Sequence, residues 1–255
     1  MNMINQTINK KLIWAAAAAI LAIIYVFVKL PEFAERKNKE LAKSREVVVT
    51  IPEGHSTRQI GEIFERLGIF SKEDFIQVAQ KEEGYLFPDT YRFYKDANPD
   101  DVAKKMRDNF NKKMTPEIFA EIKKNKKTLS EVIIMASLLE EEVKSAEDRK
   151  IVAGILWKRL DLGIGLNVDA ALTYVLGKTS SELTAGDLKF DSPYNTYRYR
   201  GLPPKPISNP GLDAILAALM PEPSPYFYYL TGKDGRTYYA KTLEEHALNK
   251  FKYLR

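Results

Sequence analysis

The stretch TLSEVIIMASLLEEEV, residues Thr128 to Val143, predicts the helix around which the rest of the chain is arranged. Thr128 and Glu131 have the Thr-x-x-Glu spacing of a capping box, in which each side chain binds a backbone N–H that the start of a helix leaves free. At about 100° per residue, the apolar residues form one broad face, and Glu140 falls within that face. The two glutamates that follow point elsewhere.

Glu140 is therefore an unusual residue for its position. A carboxyl group on the apolar face of a helix is partly desolvated, which disfavours its charged form and raises its pKa. A general acid needs a raised pKa of this kind if it is to hold its proton near neutral pH. The helix pattern alone thus selects Glu140 as the leading catalytic candidate.

Composition limits the classes of protein to which the chain can belong. Its 255 residues, 45% hydrophobic and 29% charged, allow for a membrane segment, a linker and roughly 210 residues of folded protein. The net charge of +5 is spread over many segments, which argues against a nucleic-acid partner. The chain has no cysteine, so disulfides, cysteine zinc sites and cysteine nucleophiles are excluded. His55 and His246 are far apart, so a metal site would need carboxylates, and we expect no metal and no other cofactor.

Residues 12–30 are long and apolar enough for a transmembrane helix, with Lys29 as their one charged residue. A cleaved signal peptide is the alternative, but no Ala-x-Ala site follows, which favours an uncleaved anchor. More basic residues follow the segment than precede it, so the positive-inside rule by itself places the C-terminal side in the cytoplasm. This is the opposite of the orientation that an exported domain needs. On the strength of the function inferred below, we expect residues 1–11 to be cytoplasmic, and residues 31–46 to form a charged stalk.

The remaining sequence predicts an α+β fold. Residues 47–94 contain a strand, two helices and a second short strand, a unit too small to bury a core alone. Residues 95–255 predict a mainly helical domain, in which two strand patterns flank GKDG at residues 232–235 and form a β-hairpin. We therefore expect the small unit to pack on the helical domain.

Residues 190–211, FDSPYNTYRYRGLPPKPISNPG, are too rich in proline for regular structure. Asn209 is predicted to cap the helix that follows, with Pro210 at its first position. Long ordered loops in compact domains tend to be functional. Tyrosine and arginine side chains present flat apolar faces beside polar groups, which suits a polyhydroxylated ring such as a sugar. The alternative is a structural loop strapped over a core.

The available chemistry favours acid–base catalysis by a carboxyl group. The sequence has no Gly-x-Ser-x-Gly elbow, and neither histidine has a persuasive serine partner. Ordinary glycoside hydrolysis uses two carboxyls that flank the bond, and Asp169 is a candidate for the second. One buried glutamate suffices when the substrate supplies its own nucleophile. In peptidoglycan, the C6 hydroxyl of N-acetylmuramic acid can attack its own anomeric carbon, while one carboxyl acts first as acid and then as base.

Several short segments stand out in order along the chain. They are EGYLFPDTY at 83–91, ASLLEEE at 136–142, Arg159-Leu160, Asn167 with Asp169, SPYNTY at 192–197, GLPP at 201–204 and NPG at 209–211. Together they resemble the motifs of the YceG-like family, the MltG endolytic murein transglycosylases, over roughly Val47 to the C-terminus. The resemblance implies a single-pass inner-membrane protein with a small LysM-like subdomain at residues 47–94. It also implies a catalytic domain at residues 95–255 that cuts nascent glycan strands internally and leaves a 1,6-anhydro-muramic acid end.

The resemblance also implies roles for individual residues. The family's catalytic glutamate falls on Glu140, and a second family glutamate falls on Glu142. The wall that binds the sugar is expected to include Tyr194, Asn195 and Tyr197. The residues expected to position the substrate or Glu140 are Asn167, Asp169 and Glu142.

The predicted function is a membrane-anchored lytic transglycosylase of peptidoglycan, a lyase whose catalytic domain lies on the extracytoplasmic side of the bacterial cytoplasmic membrane. Two alternatives stay open: a muramidase-type hydrolase of the same bond, and a non-catalytic, membrane-tethered scaffold for cell-wall synthesis. The expected partners are peptidoglycan glycan strands, the membrane and, by the resemblance, peptidoglycan synthases. No nucleic-acid partner is expected.

Overall fold

The structure, a computed structural model, describes residues 45–254 together with Tyr25, Phe27, Lys29 and Phe33, which are helical. The predicted membrane anchor and stalk therefore lie outside the described residues, apart from these four positions and the two residues at the end of the stalk. Within the described part of the chain, no helix is both long and apolar enough to cross a membrane.

Residues 45–254 contain nine α-helices, three short 3-10 helices and two small sheets, which confirms the predicted α+β fold class. The helices are α1 (Thr57–Arg66), α2 (Lys72–Ala79), α3 (Pro99–Lys113), α4 (Pro116–Lys124), α5 (Leu129–Glu142), α6 (Ala146–Asp161), α7 (Asp169–Leu176), α8 (Leu212–Leu219) and α9 (Leu243–Tyr253). The strands are β1 (Glu46–Thr50), β2 (Thr90–Tyr94), β3 (Tyr228–Thr231) and β4 (Thr237–Ala240). Strand β1 pairs with β2, and β3 pairs with β4.

The predicted β-hairpin forms at β3 and β4, which are antiparallel with Tyr228 opposite Ala240 and Thr231 opposite Thr237. The turn between them contains Gly235 at φ +76°. Only glycine adopts this left-handed conformation without steric cost, since it has no Cβ. The local turn signal in the sequence was thus sufficient to predict this element.

Helix α5 lies at the centre of the core. Its capping box forms as predicted, because Thr128 Oγ1 accepts from the N–H of Glu131 and a Glu131 oxygen accepts from the N–H of Thr128. Residues 132–139 are all buried, so the helix is enclosed on every side and does not pack along one face. A helix that is apolar all round is expected to be buried in this way. Glu140 is therefore the first polar residue after a fully enclosed segment.

Segment Val48–Tyr91 packs with residues Asp96–Arg255 as one compact unit. Phe87, from this segment, is buried in the same core cluster as α5 and α8. Tyr85 packs edge-on against Phe110 of α3, with ring centroids 5.2 Å apart. The strand–helix–helix segment that is too small to bury a core alone thus shares the core of the helical domain.

Gly154 of α6 permits a close backbone contact that the fold needs. A Cβ at this position would overlap the carbonyl oxygen of Glu222, whose own N–H donates to the Lys150 carbonyl at 3.0 Å. We expect Gly154→Ala to lower the free energy of unfolding by about 2 kcal/mol, because a backbone carbonyl cannot rotate away as a side chain can. Urea denaturation followed by circular dichroism measures this change.

Gly186→Ala is the matched control. Gly186 has φ −70°, and an added Cβ would meet only Thr184 Oγ1 at 3.5 Å, an ordinary contact. We expect its free energy of unfolding to stay the same or to rise by up to about 1 kcal/mol, since alanine restricts the unfolded chain. Equal stability of the two variants would contradict the proposed clash.

Candidate active site

Glu140 lies in the last turn of α5 and forms an ion pair with Arg149 of α6, with 2.5 Å between Glu140 Oε1 and Arg149 Nη2. Its second oxygen accepts from the N–H of Gly211 at 2.9 Å. The two side chains are only 5% and 9% exposed. Arg149 is itself fixed, since its Nε donates to the carbonyl of Val143 at 2.8 Å. The carboxylate of Glu140 is therefore held in one orientation and largely shielded from water.

Burial raises the pKa of Glu140, the direction that the sequence pattern predicts. The Gly211 N–H and the Arg149 guanidinium oppose this effect, because both favour the charged form. The nearby carboxylates of Glu53 and Asp213 raise the pKa further. Glu140 thus combines a shielded carboxyl with two groups that stabilise its anion, so both protonation states are accessible to it.

The two neighbouring glutamates have different surroundings. Glu141 is exposed and borders a cleft. Glu142 accepts from the hydroxyl of Tyr229 at 3.1 Å and from the N–H of Ala170 at 3.5 Å. Burial, helped by the charge of Asp169, raises the pKa of Glu142 to about 7. Three consecutive carboxyls therefore face three different environments.

The cleft has a volume of about 980 Å³ and lies between the start of α1 and α7. Its lining includes Gly54, Thr57, Glu83, Glu141, Tyr174 and Ile207. Glu140 is not part of this lining, but Gly54 brings the cleft close to it. A Cβ on Gly54 would lie 3.4 Å from Glu140 Cγ and 2.7 Å from Glu141 Oε1. Bare glycine backbone thus separates the cleft from Glu140.

Asn209 ties the proline-rich loop to two other segments. Its Oδ1 accepts from the N–H groups of Gly84 and Leu86, both at 2.9 Å. Its Nδ2 donates to the carbonyl of His55 at 2.9 Å and to Glu83 Oε1 at 3.0 Å. Asn209 is only 1% exposed, and these four contacts use every hydrogen-bonding group of its side-chain amide. It therefore fixes the loop against the cleft-lining segments.

The predicted N-cap role of Asn209 is wrong. The N-cap of α8 is Gly211, and Pro210 precedes the helix. Because the Asn209 side chain is turned toward other segments, it is not available to the first turn of α8. Ser137 of α5 fixes the same part of the loop, since its Oγ accepts from the N–H of Ile207 at 3.1 Å. Gly211 is thereby placed with its N–H directed at Glu140.

Several predicted substrate-binding residues form one cluster around Arg159. The hydroxyl of Tyr197 donates to Asp169 Oδ1 at 2.5 Å. Asn167 has φ +52°, and with its amide oxygen toward Arg159 it accepts from Nη2 at 3.1 Å. Burial raises the pKa of Tyr197, and the Asp169 hydrogen bond adds to this. The structure thus brings Glu142, Asn167, Asp169 and Tyr197 together.

The other two predicted residues differ in their exposure. Asn195 is fully buried, and its Nδ2 donates to the carbonyls of Leu188 at 3.0 Å and Phe190 at 2.8 Å. It shapes the loop and offers no free atom to a ligand. Tyr194 lies against Tyr174, with ring centroids 5.6 Å apart, and Tyr174 lines the cleft. Tyr194 therefore supports the cleft wall, whereas Asn195 does not reach it.

Sequence reasoning gave no role to Arg149 or Glu53, and it singled out Glu83 only as part of the motif at residues 83–91. Glu83 is 5% exposed and accepts from the N–H of Thr57 at 2.9 Å and from the hydroxyl of Tyr174 at 3.2 Å. Burial raises the pKa of Glu83 to about 7. The position of Glu83 beside the apolar residues 84–87 was the only sequence signal that this carboxyl group is buried. The residues that bind Glu83 are distant from it in sequence.

Glu83 should make the stability of the protein depend on pH. Its pKa is about 7 in the folded state and 4.5 as a free group, so the folded state binds more protons between these values. Stability from this group is therefore present below about pH 4.5 and is lost as the pH rises toward about 7. We expect Glu83→Gln to make the free energy of unfolding fall less steeply over this pH range. Measuring the free energy of unfolding at several pH values checks this.

Glu147→Gln is the control for this titration, since Glu147 is an exposed glutamate. Its slope of stability against pH should match that of the unmodified protein. Only the slopes are compared, because Glu83→Gln also changes hydrogen bonds by an amount that does not depend on pH. A Glu83→Gln slope equal to the control slope would contradict the assignment.

Comparison with known proteins gives independent information. Residues 28–252 match the YceG-like family. The chain is 40% identical over 173 residues to an endolytic murein transglycosylase of Bacillus subtilis and 34% identical over 173 residues to one of Streptococcus pneumoniae. These alignments cover 68% and 66% of this chain but 48% and 31% of the relatives, so the chain spans about half of their length or less. A crystal structure of a YceG-like protein from Listeria monocytogenes has a TM-score of 0.73 at 32% identity, covering 79% of this chain and 75% of that one.

Proposed function

The chain belongs to the YceG-like family, and from this premise we propose that it is an endolytic lytic transglycosylase of peptidoglycan. The observation that carries the proposal is the environment of Glu140, a shielded carboxyl held by Arg149 and the N–H of Gly211 beside a large cleft. Glu140 lies within the residues that match the family. The relatives from Bacillus subtilis and Streptococcus pneumoniae, which are named endolytic murein transglycosylases, support the same reaction.

In the first step, Glu140 acts as the general acid. Its proton passes to the oxygen that links C1 of N-acetylmuramic acid to the next sugar, and the bond between C1 and that oxygen breaks. Burial favours the protonated form of Glu140 that this step needs. The departing sugar leaves with a free hydroxyl, and Glu140 is left as a carboxylate.

In the second step, the same carboxylate acts as the base. The C6 hydroxyl oxygen of the muramic acid forms a bond with C1, and its proton passes to Glu140. The sugar closes into a 1,6-anhydro ring, no water is consumed, and Glu140 regains its starting proton. Between the two steps the carboxylate is stabilised by Arg149 and by the N–H of Gly211.

We assign the glycan to the cleft of about 980 Å³, which is large enough for several sugar rings and ends at Gly54 beside Glu140. The neighbouring rings of Tyr174 and Tyr194, which are tilted by 43° to each other, offer an aromatic wall of the kind that sugars contact. The cluster of Glu142, Asn167, Asp169 and Tyr197 would position the substrate or Glu140. Residues 47–94 would form the reduced LysM-like part.

Glu140→Gln tests the proposal directly. The full-length protein is incubated with peptidoglycan glycan strands, and the new chain ends are identified by mass spectrometry. We expect the unmodified protein to produce anhydro ends and the variant to be slower by at least about 100-fold, since glutamine cannot donate or accept the proton. Glu147→Gln, a change at an exposed position, should keep full activity.

Other products would point to other functions. Unchanged cleavage by Glu140→Gln would reject Glu140 as the proton carrier. Reducing ends in place of anhydro ends would identify a muramidase-type hydrolase. Full function of Glu140→Gln in cells, together with no cleavage by the purified protein, would favour the scaffold.

We further propose that residues 12–30 anchor the chain in the bacterial cytoplasmic membrane, with the folded domain on the extracytoplasmic side, where its substrate lies. The length and apolar composition of this segment support the anchor. Peptidoglycan synthases are the proposed protein partners, because they make the nascent strands. Protease added outside intact spheroplasts should digest the folded domain, and protection of the domain until lysis would reject this orientation.

A further inference from the structure

Glu53 lies in the connection between β1 and α1, and its carboxyl group packs on Gly211. A Cβ on Gly211 would overlap this carboxyl group, with Oε2 of Glu53 at 2.8 Å. Gly211 is also the residue whose N–H donates to Glu140 at 2.9 Å. Two carboxyl groups from distant parts of the sequence therefore meet at one glycine.

The charge of Glu53 is not neutralised by a neighbour. In the part of the chain that the structure describes, its carboxylate has neither a hydrogen-bond donor nor an ion-pair partner. Arg149, the cation at this site, is bound to Glu140. A carboxylate held close to a buried carboxyl group disfavours the ionisation of that group. The side chain of Glu140 is only 5% exposed, so the charge of Glu53 is expected to keep the proton on Glu140.

We propose that Glu53 is a positioning residue for the transglycosylase reaction: its negative charge, brought beside Glu140 by the missing side chain at Gly211, keeps the catalytic proton on Glu140 until a glycosidic oxygen accepts it. The inference rests on the proposed function. Glu53 belongs to residues 47–94, the predicted small subdomain, whereas Glu140 belongs to residues 95–255. The active site is then complete only when both parts are present.

The other charged groups that face Glu140 are Arg149 from α6, Asp213 from α8 and Glu141 on its own helix. Burial has the largest effect on the pKa of Glu140 and raises it. The Gly211 N–H and Arg149 have the next largest effects and lower the pKa, whereas the smaller effects of Glu53 and Asp213 raise it. Glu53 has the larger effect of these two carboxylates. Removing the charge of Glu53 should therefore lower the pKa of Glu140 more than removing the charge of Asp213.

The pH dependence of cleavage by the full-length protein tests this role. The alkaline limb of kcat/KM reports the pKa of the essential acid in the free enzyme. We expect Glu53→Gln to move this limb down by roughly one pH unit, so that activity falls about 10-fold above the limb and changes little below it. Glu53→Asp keeps the charge and should keep the limb near its original position. Glu147→Gln is the control and should leave the profile unchanged.

A second measurement does not depend on activity. Carbon-13 NMR of labelled glutamate carboxyls follows the titration of Glu140, whose signal is identified by its loss in Glu140→Gln. We expect the Glu140 titration to move to lower pH in Glu53→Gln and to stay near its original position in Glu53→Asp. An unmoved Glu140 titration in Glu53→Gln would overturn the proposal.

A loss of activity in Glu53→Gln that is equal at every pH would also overturn it, because a purely structural role would act in that way. Failure of this inference and failure of the proposed function give different results. If the unmodified protein makes no anhydro ends, the proposed function fails, while the NMR titration still shows whether Glu53 acts on Glu140. If anhydro ends form and the Glu53→Gln profile is only lowered, the role of Glu53 alone is rejected.

Discussion

The buried amide of Asn209 is the contact on which the arrangement of the site depends. It joins three segments that are far apart in sequence: the proline-rich loop, the segment from Glu83 to Leu86, and His55. Every donor and acceptor of the amide is used, and an unpaired polar group at this depth would cost about 1–3 kcal/mol. These contacts, with the backbone hydrogen bonds between the same segments, help to hold Gly211 and Glu53 next to Glu140.

Opposed electrostatic effects meet at Glu140. Burial and the carboxylates of Glu53 and Asp213 favour its protonated form, whereas the N–H of Gly211 and Arg149 favour the carboxylate. A group that must give a proton and then take one back needs both forms at similar free energy. A buried carboxyl without Arg149 would hold its proton too firmly, and an exposed ion pair would lose it too readily. The combination suits one residue that serves as acid and base in turn.

Local patterns predicted much of the fold and one residue of the site. The capping box of α5, the hairpin around Gly235 and the α+β class follow from residues close together in sequence, whose backbone preferences and hydrogen bonds act within a turn or two. Glu140 also stood out, because a carboxyl group among the apolar positions of a helix is a local signal. The expectation of a single apolar face on α5 was wrong, since enclosure depends on how many neighbours surround the helix.

The sequence by itself therefore determined the central helix and the fold class, and it selected Glu140 as the leading catalytic candidate, because these depend on short-range periodicity and capping. Only the tertiary structure decided what surrounds that glutamate. Gly211 donates to Glu140 across 71 positions, and Asn209 reaches His55 across 154. The tertiary structure also buries Asn195, which the motif at residues 192–197 had suggested for sugar binding. Such contacts arise from the packing of whole segments, and no local pattern of residues encodes them.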